Sequence, residues 1–312
     1  MRNSFKTIFK GKKILITGGT GSIGSEIVHQ LVNLEPEQVR VYSRDETKQY
    51  FLLHDIKRIA PHLDLRFLIG DIRDRERLDM AMGQIDIVFH TAALKHVPFC
   101  EYNPFEAVKT NVNGTQNILD MAIKHKVEKV IAISTDKAVN PLSILGTTKL
   151  LMEKMVLATR WYLGWAETKF SVVRFGNVLN SRGSTMPLWR SQIRTGGPVT
   201  VTDPEMTRFF MTVKDAVRLI FKTTQMMQGQ EIFILKMPEK KIGELAQEIV
   251  TRHGRNKHID IKVTGRRDGE KMHEELFTDY EKSQSFELPD MYIVIPYEDI
   301  FKKRKISQYY TA

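Results

Sequence analysis

A glycine-rich turn between a short apolar run and a helical pattern, near the start of the chain, limits the folds that this sequence can adopt. The run is Lys13–Thr17, the turn is TGGTGSIG at 17–24, and residues 25–34 repeat apolar side chains at helical spacing. Strand, glycine turn and helix in this order open the folds that bind dinucleotides at the carboxyl edge of a parallel sheet. We therefore predict a dinucleotide site at this turn.

The glycines have separate tasks in such a turn. Gly18 lets the chain leave the strand tightly, Gly21 lets the backbone approach a pyrophosphate, and Gly24 lets the helix pack closely on the sheet. The pyrophosphate then faces the helix N-terminus, where unpaired N–H groups and the positive end of the helix dipole lie. The other residues of the turn that we predict to contact the cofactor are Thr20, Ser22 and Ile23.

Apolar runs and helical patterns continue to alternate after this unit. Further strands are predicted at 39–42, 64–69, 85–90, 129–134 and 170–175, and helices at 50–59, 75–82, 106–125 and 145–161. Alternating strands and helices form parallel sheets covered on both faces. The predicted fold is therefore α/β, a Rossmann-type doubly wound parallel sheet with a smaller C-terminal substrate-binding domain.

The alternation stops after Asn177, where Gly, Pro and Ser turns begin. We assign residues 1–176 to the dinucleotide-binding domain, and residues 177–212 and 236–312 to the substrate-binding domain. Residues 213–235 contain a helix and the strand EIFIL, and we expect them to return to the main sheet.

Composition excludes several classes of protein. The 312 residues carry 47 Lys and Arg against 37 Asp and Glu, a net charge of +10, and Cys100 is the single cysteine. An intrachain disulfide is impossible, no metal-binding spacing such as CxxC or HExxH occurs, and no apolar run reaches the roughly 18 residues of a membrane span. The basic clusters, which are Lys10/Lys12/Lys13 and 302–305, are expected to be solvated. We therefore expect a cytoplasmic protein without metal, membrane or nucleic-acid partners.

The choice of dinucleotide depends on the end of the second strand. An acidic residue there would bond the ribose of NAD, whereas an arginine would accept the extra phosphate of NADP. The chain has Ser43-Arg44-Asp45, with Arg44 lying 20 positions after Gly24. This favours NADP and leaves NAD open. Asp71, followed by Ile72, closes the third strand and is expected either to meet the adenine amino group or to cap the next helix.

Several longer motifs carry a resemblance. HTAALKHVP (90–98), TNVNGTQN (110–117), STDKAVNP (134–141) and VVRFGNVLNSRGS (172–184) together resemble the extended short-chain dehydrogenases/reductases. STDKAVNP, with PEMTRFFMT (204–212) and GRRDGEKMHEEL (265–276), is more specifically similar to the UDP-N-acetylglucosamine 4,6-dehydratases of the polysaccharide biosynthesis family. The resemblance extends over nearly the full chain.

The resemblance implies a redox-neutral reaction on a nucleotide sugar in bacterial surface-glycan synthesis. A hydride leaves sugar carbon 4 for a tightly held nicotinamide, water is lost across carbons 5 and 6, and the hydride returns to carbon 6. It also implies that Asp136 is the acid for the departing hydroxyl and Lys137 the base at carbon 5. Proton transfer of this kind requires a protonated carboxyl and a partly neutral amine. Without the surrounding motif, the default interpretation of the Asp136-Lys137 pair would be a surface pair on a turn before Pro141.

The same resemblance draws attention to a missing tyrosine. In the wider superfamily a catalytic tyrosine stands four residues before the lysine that corresponds to Lys149, and this chain has Leu145 there. Leucine cannot exchange a proton, so another group has to serve the carbon-4 hydroxyl. We expect Thr135 or Asp136 to relay the proton of that hydroxyl. Lys149 would hold the nicotinamide ribose, and its positive charge would lower the pKa of the groups around it.

Other roles are likewise implied by the resemblance. The implied cofactor contacts include Ala92, Ala93, Lys95 and Asn111, and the implied substrate contacts are Lys95, Asn177, Arg208, Arg266 and Glu270. Arg266 and Glu270 would share the diphosphate and the uridine ribose, because guanidinium and carboxylate groups suit those partners. Glu274 and Glu275 are interpreted as helix-surface acids, and His96 and Cys100 as packing residues.

Two alternative functions follow from the same sequence. A UDP-sugar 4-epimerase would share the fold, cofactor and pocket, but would not need an acid and a base at carbons 5 and 6. A catalytically silent NADP-binding protein would explain Leu145, although it would not explain why Asp136, Lys137 and Lys149 are present. For a dehydratase, retention and inversion at carbon 5 both stay open. We also expect a homo-oligomer, because members of the family associate.

Overall fold

The computed structural model describes residues 2–164, 166–254 and 258–309. Residue 1 and residues 310–312, which begin and end the predicted domains, lie outside the described residues. The strands in chain order are β1 Lys13–Thr17, β2 Gln38–Ser43, β3 Asp64–Ile69, β4 Ile87–His90, β5 Lys129–Thr135, β6 Lys169–Phe175, β7 Asn177–Val178, β8 Val199–Val201, β9 Thr207–Met211, β10 Ile232–Leu235, β11 Glu239–Lys241, β12 Ile261–Val263, β13 Ser285–Glu287 and β14 Met291–Val294. The α-helices are α1 Arg2–Phe9, α2 Ser22–Leu31, α3 Glu46–Ile59, α4 Arg75–Met82, α5 Val97–Tyr102, α6 Pro104–Ala107, α7 Gly114–Lys124, α8 Ile144–Ala158, α9 Thr185–Arg194, α10 Val213–Met226, α11 Ile242–His253, α12 Asp279–Ser283 and α13 Glu298–Phe301.

Nine strands form the main sheet, in the order β13-β14-β10-β6-β5-β4-β1-β2-β3. The pairs from β10 through β3 are parallel, whereas β13 and β14 pair antiparallel at one edge. The chain moves outward from β1 in both directions, which makes the sheet doubly wound. The predicted α/β Rossmann-type fold is confirmed.

Apolar side chains of the central strands cover both faces of the sheet. In β1, Ile14 and Ile16 pack with α1, α2 and α10, while Leu15 packs on the opposite face with α4, α7 and α8. Because successive side chains of a strand point to opposite faces, a fully apolar strand such as β1 requires helices on both sides. This explains why the continuous apolar runs in the sequence become the central strands.

A smaller lobe carries its own core, formed mainly by α9, α11 and β8 around the buried Trp189. The lobe also contains a two-stranded sheet, β12-β8, and a three-stranded sheet, β11-β9-β7. In chain order β10 comes between two segments of this lobe, but it pairs with β6 and so belongs to the main sheet.

The structure differs from the predicted segmentation at the C-terminal end. We assigned residues 285–294 to the substrate-binding domain, but they form β13 and β14 of the main sheet. The free edge of β10 pairs with β14, and β14 pairs with β13. The nearby basic cluster at 302–305 is not simply solvated. Arg304 donates to the buried Glu231 carboxylate at 2.6 Å, so this arginine anchors the C-terminal segment against the sheet.

The helical segment predicted at 106–125 is interrupted. After α6, residues 108–113 form a π-helical turn, and α7 begins at Gly114. Asn111 lies within this wider turn, and its side-chain amide bonds both the N–H and the C=O of Leu94 in the loop after β4. A π turn of this kind commonly marks a functional site, and here it ties the helix to a loop at the carboxyl edge of the sheet.

Candidate functional site

A cleft of about 770 Å³ lies along the carboxyl ends of β1, β2, β4, β5 and β6. This is the edge at which ligands bind in doubly wound sheets. The sequence-predicted residues that line it are Gly18, Thr20, Gly21, Ser22, Ile23, Ser43, Arg44, Asp71, Ile72, Ala92, Ala93, Lys95, Thr135, Lys137, Lys149 and Asn177. The predicted residues that do not line it are Gly24, Asn111, Asp136, Arg208, Arg266 and Glu270.

The glycine turn has the tight geometry that a bound pyrophosphate needs. Gly18 has a φ of +64°, and a Cβ there would lie 2.7 Å from the backbone of Ala92. A Cβ on Gly24 would lie 2.6 Å from Gly19, so only glycine allows α2 to approach the turn. Gly21 precedes α2 with no side chain capping its first N–H groups, which leaves them available to an anion.

The Asp45 carboxylate, just after β2, already has hydrogen-bond and ion-pair partners. It accepts a hydrogen bond from the Lys48 N–H at 2.9 Å, caps α3 and contacts the Lys48 ammonium. This cap starts α3 at Glu46, four residues before the predicted position 50. Arg44 remains on the rim of the cleft, more than half exposed, with a guanidinium nitrogen 3.6 Å from Asp71. Arg44 and Asp45 both line the cleft, but the Asp45 carboxylate is occupied by Lys48.

Asp71 does not cap the following helix. That task falls to Asp74, which accepts a hydrogen bond from the Arg77 N–H at 2.9 Å. The Asp71 carboxylate instead accepts hydrogen bonds from Arg73, whose guanidinium holds the pKa of this carboxyl below its usual range against the opposing effect of burial. The cap alternative raised for Asp71 is therefore wrong, and the side chain borders the cleft beside Arg44.

Asp136 and Lys137 follow β5, and Lys137 lines the cleft while Asp136 is buried behind it. Lys137 Nζ donates to Asp136 Oδ1 at 3.0 Å and to Asn177 Oδ1 at 3.1 Å. Thr135 Oγ1 also donates to Asp136 Oδ1, at 2.9 Å. Asp136 is fully buried, and its second oxygen, Oδ2, has no hydrogen-bond partner among the described residues. The pair is therefore not on a surface turn, because Asp136 is buried and Lys137 is exposed only towards the cleft.

A residue that we interpreted as a surface acid contacts this pair. The Glu274 side chain is 3% exposed, and its Oε1 lies 3.5 Å from Lys137 Nζ. Burial alone would lower the pKa of Lys137, but the carboxylates of Asp136 and Glu274 outweigh it and raise the pKa. The surface interpretation of Glu274 is wrong because its segment is an extended loop that packs on residues 137–143, not a solvated helix. Glu275 belongs to the same loop and accepts a hydrogen bond from Asn140 at 2.8 Å.

Lys149 lies deeper, on α8. Its Nζ donates to the Ile133 carbonyl at 2.6 Å, and burial lowers its pKa to about 8, opposed by the Glu153 carboxylate. Glu153 is bound in turn by Arg174, at 2.6 Å. Leu145, one turn before Lys149, is 4% exposed and packs with Cys100 and Ala107. The tyrosine position is therefore filled by an apolar side chain that belongs to a small core.

Lys95 and Arg208, which we predicted to contact the substrate, lie in different surroundings. Lys95 lines the cleft and donates to the Arg182 carbonyl at 2.6 Å, so it joins the two lobes. Arg208 is buried, and its guanidinium donates to the carbonyls of Thr207, Lys271 and Met272. It therefore clamps the loop that carries Glu274 and does not face the cleft.

The loop at 265–276 places its polar groups differently from the implied arrangement. Arg266 is exposed, and Glu270 pairs with Arg267 at 3.7 Å. The loop packs against the start of α8 at Gly269, where a Cβ would lie 2.9 Å from Ser143. Sequence reasoning also missed Arg182, whose N–H donates to Ser22 Oγ at 2.9 Å beside the glycine turn. Its position in the SRGS turn was the available signal.

The described residues contain neither a metal-binding cluster nor a membrane-spanning helix. No group of three or more His, Cys, Asp or Glu side chains there could hold a metal ion. No helix in 2–164, 166–254 or 258–309 is long and apolar enough to cross a membrane.

Known proteins resemble this chain over most of its length. It is 42% identical over 291 residues to a UDP-N-acetylglucosamine 4,6-dehydratase (inverting) of Campylobacter jejuni, covering 93% of this chain and 84% of the relative. It is 40% identical over 290 residues to a UDP-glucose 4-epimerase of Rickettsia canadensis, covering 91% and 83%. The solved structure of Pen from Bacillus thuringiensis superposes with a TM-score of 0.90 at 45% identity, covering 93% and 90%.

The family model described as "Polysaccharide biosynthesis protein" matches residues 14–296, which include the glycine turn, the Asp136-Lys137 pair and the loop that carries Glu274. The resemblance seen in the motifs is thereby confirmed. The chain belongs to the polysaccharide biosynthesis protein family, within the extended short-chain dehydrogenases/reductases.

Proposed function

We propose that the chain is an NADP-dependent UDP-N-acetylglucosamine 4,6-dehydratase that forms a UDP-4-keto-6-deoxy-N-acetylhexosamine for surface-glycan synthesis. The observation that carries the proposal is the contact between Lys137, which lines the cleft, and Asp136, which is buried behind it. One proton shared along that 3.0 Å hydrogen bond can lie on the carboxyl or on the amine. When it lies on Asp136, the pair is a neutral acid beside a neutral base, the form that elimination of water requires.

The cleft fits a dinucleotide on structural grounds. A side chain on Gly18 or Gly24 would fill the space at the turn, and the uncapped start of α2 faces the place where a pyrophosphate would lie. When bound, the nicotinamide supplies a reversible hydride acceptor. We assign the turn residues 18–24 to its pyrophosphate, Ser43 and Arg44 to its adenosine ribose, and Lys149 to its nicotinamide ribose.

The chain's own residues would handle the protons. Asp136 protonates the hydroxyl on carbon 6, and Lys137 takes the proton from carbon 5. Thr135, whose hydroxyl contacts Asp136, carries the proton of the carbon-4 hydroxyl to that carboxylate, since Leu145 has no proton to exchange. This is the one proton that Asp136 and the neutral Lys137 amine then share, and it leaves with the hydroxyl on carbon 6. Asn177 orients the Lys137 amine. Of the other residues we assigned to substrate, Lys95 borders the same cleft, and Glu270, Arg266 and Arg208 belong to or hold the adjacent loop.

A heavy-water incubation tests this proposal. Purified protein is mixed with UDP-N-acetylglucosamine without added cofactor, and the nucleotide sugar is followed by mass spectrometry and NMR. We expect loss of one water and incorporation of one deuterium at carbon 5. Unchanged mass with a changed configuration at carbon 4 would instead identify a UDP-sugar 4-epimerase, the second candidate, which the Rickettsia relative favours. The buried acid-base pair favours the dehydratase, because epimerisation at carbon 4 needs no base at carbon 5 and no acid at carbon 6.

Replacing Arg44 with alanine should change the choice of cofactor. Loss of a hydrogen bond to a charged phosphate costs about 1.5–3 kcal/mol, so NADP should bind roughly 10- to 100-fold more weakly while NAD is little affected. Calorimetric titration of cofactor-stripped protein measures both affinities. Arg58→Ala is the matched control, because Arg58 lies at the far end of α3 and pairs with Asp55. Equal losses for NADP and NAD would contradict the assignment of Arg44.

We also propose that the protein is a homo-oligomer. Phe99, Tyr102 and Phe105 on α5 and α6 are each more than two-thirds exposed, and they form an aromatic surface that a second copy could cover.

A further inference from the structure

Glu274 is a buried acid that none of the roles assigned above uses. Its side chain is 3% exposed, and its two oxygens have different surroundings. Oε1 lies 3.5 Å from Lys137 Nζ, whereas Oε2 is buried without a hydrogen-bond partner among the described residues. A buried carboxylate is costly unless a cation compensates it. The nearest cations are Lys137 and Lys271, the latter 3.7 Å from Oε2.

The loop that carries Glu274 is held firmly against the site. Arg208 on β9 donates to the carbonyls of Lys271 and Met272. The Lys271 ammonium also contacts the Val139 carbonyl, which belongs to the loop following Asp136 and Lys137. These contacts fix the backbone on both sides of the Lys137–Glu274 pair. The carboxylate therefore has a defined place relative to the amine.

We propose that Asp136, Lys137 and Glu274 form a proton-transfer triad, in which Glu274 orients the Lys137 amine and stabilises the positive charge that it acquires during elimination. This inference rests on the proposed function and adds a positioning residue to it. The arrangement is the one in which a buried carboxylate contacts a catalytic base and orients it towards the substrate.

The step balances in protons and electrons. Lys137 Nζ forms an N–H bond with the proton from carbon 5, and the electron pair of that C–H bond becomes the double bond between carbons 5 and 6. The bond between carbon 6 and its oxygen breaks, and the hydroxyl leaves as water with the proton from Asp136. The site then holds an ammonium between two carboxylates. A carboxylate at Glu274, 3.5 Å from that amine, favours the side of the step on which Lys137 is charged.

The first test measures Lys137 directly and needs no turnover. Lys137 is partly accessible from the cleft, so competitive acetylation with acetic anhydride across a pH series, read by mass spectrometry of its peptide, gives its titration midpoint. Groups that also face this amine are Asp136, Asn177 and, at longer range, Arg208. An opposite charge within about 4–6 Å shifts such a midpoint by roughly one to three units. In Glu274→Gln we therefore expect the midpoint to fall by at least about one unit.

Two further variants make this measurement specific. Glu275→Gln changes the neighbouring acid, which contacts Asn140 and not Lys137, and should leave the midpoint unchanged. Glu274→Asp keeps the charge on a shorter side chain and should return the midpoint part of the way to the wild-type value. A midpoint that is the same in Glu274→Gln and wild-type protein would overturn the proposal.

The second test uses the pH dependence of UDP-N-acetylglucosamine turnover. A weaker base that is neutral at lower pH should move the optimum of Glu274→Gln to lower pH and reduce kcat at the wild-type optimum by roughly three- to tenfold. A uniform fall at every pH, with no movement of the optimum, would show that Glu274 is only structural and would overturn the triad. If wild-type protein releases no water from this substrate, the proposed function fails, while the acetylation midpoints still decide whether Glu274 controls Lys137.

Discussion

Asp136→Asn should slow the loss of water from UDP-N-acetylglucosamine by about 10²- to 10⁴-fold, the usual contribution of a general acid. The amide can still accept the hydrogen bonds from Thr135 and Lys137, so the shape of the site is retained. It cannot donate the proton that the hydroxyl on carbon 6 needs. Turnover followed by mass spectrometry measures the loss, and calorimetric titration with UDP should give unchanged binding.

Asn177→Asp is an informative comparison for this variant. It keeps Asp136 and places a third carboxylate beside the Lys137 amine, at the Asn177 position 3.1 Å away. The added negative charge should hold the amine in its charged form, which impairs the base and leaves the acid intact. Water loss at the wild-type rate by Asp136→Asn would contradict the acid assignment, whatever the result for Asn177→Asp.

Arg174→Met should destabilise the fold by about 3–5 kcal/mol, because it removes the cation from a buried ion cluster. The Arg174 guanidinium lies 2.6 Å from Glu153 and 2.8 Å from Glu281, and all three side chains are buried. Without it, two carboxylates are left unpaired in the interior. Denaturant unfolding measures the loss, and Arg58→Met, which breaks an exposed ion pair, should leave the unfolding midpoint nearly unchanged.

The same cluster predicts how stability depends on pH. Burial raises the pKa of Glu281, but the Arg174 guanidinium outweighs it, so the pKa in the folded protein is below its usual value of 4.5. A lowered pKa contributes stability that is present above the unfolded value and is lost as pH falls through the folded value. Arg174→Met should therefore lose stability mainly at neutral pH and converge with wild-type protein in acid. A constant difference between the two proteins down to strongly acidic pH would contradict this account.

The cluster also connects stability with the site. Glu153 lies one turn after Lys149 on α8. The Arg174 guanidinium donates a hydrogen bond to each oxygen of the Glu153 carboxylate. Arg174 additionally donates to the Leu276 carbonyl, at the end of the loop that carries Glu274. One buried arginine thus holds both the helix of Lys149 and the loop of Glu274.

The sheet could be predicted from sequence because its signals are local. The apolar run KILIT and the glycine turn specify β1 and the start of α2 within a dozen residues, and the same pattern repeats along the chain. The edge strands β13 and β14 could not be assigned in this way. Their place depends on pairing with β10, about 60 residues earlier, which local periodicity does not encode.

The site was predictable only where its residues adjoin a strand end. Asp136 and Lys137 directly follow β5, so their place at the carboxyl edge follows from the alternation of strands and helices. Glu274 is 137 residues away from Lys137 and lies in a loop with no periodic pattern, so only the tertiary fold brings the two together. Arg208 was misplaced for the same reason, because the carbonyls that it binds belong to that loop.

The most direct test of the central claim follows a single hydrogen. UDP-N-acetylglucosamine carrying deuterium at carbon 4 is incubated with the protein in ordinary water, and the product is analysed by NMR and mass spectrometry. A 4,6-dehydratase should give a product that has lost one water and carries the deuterium on carbon 6. Deuterium that stays at carbon 4, or product of unchanged mass, would contradict the dehydratase reaction and leave the acid-base pair at Asp136 and Lys137 without the role proposed for it.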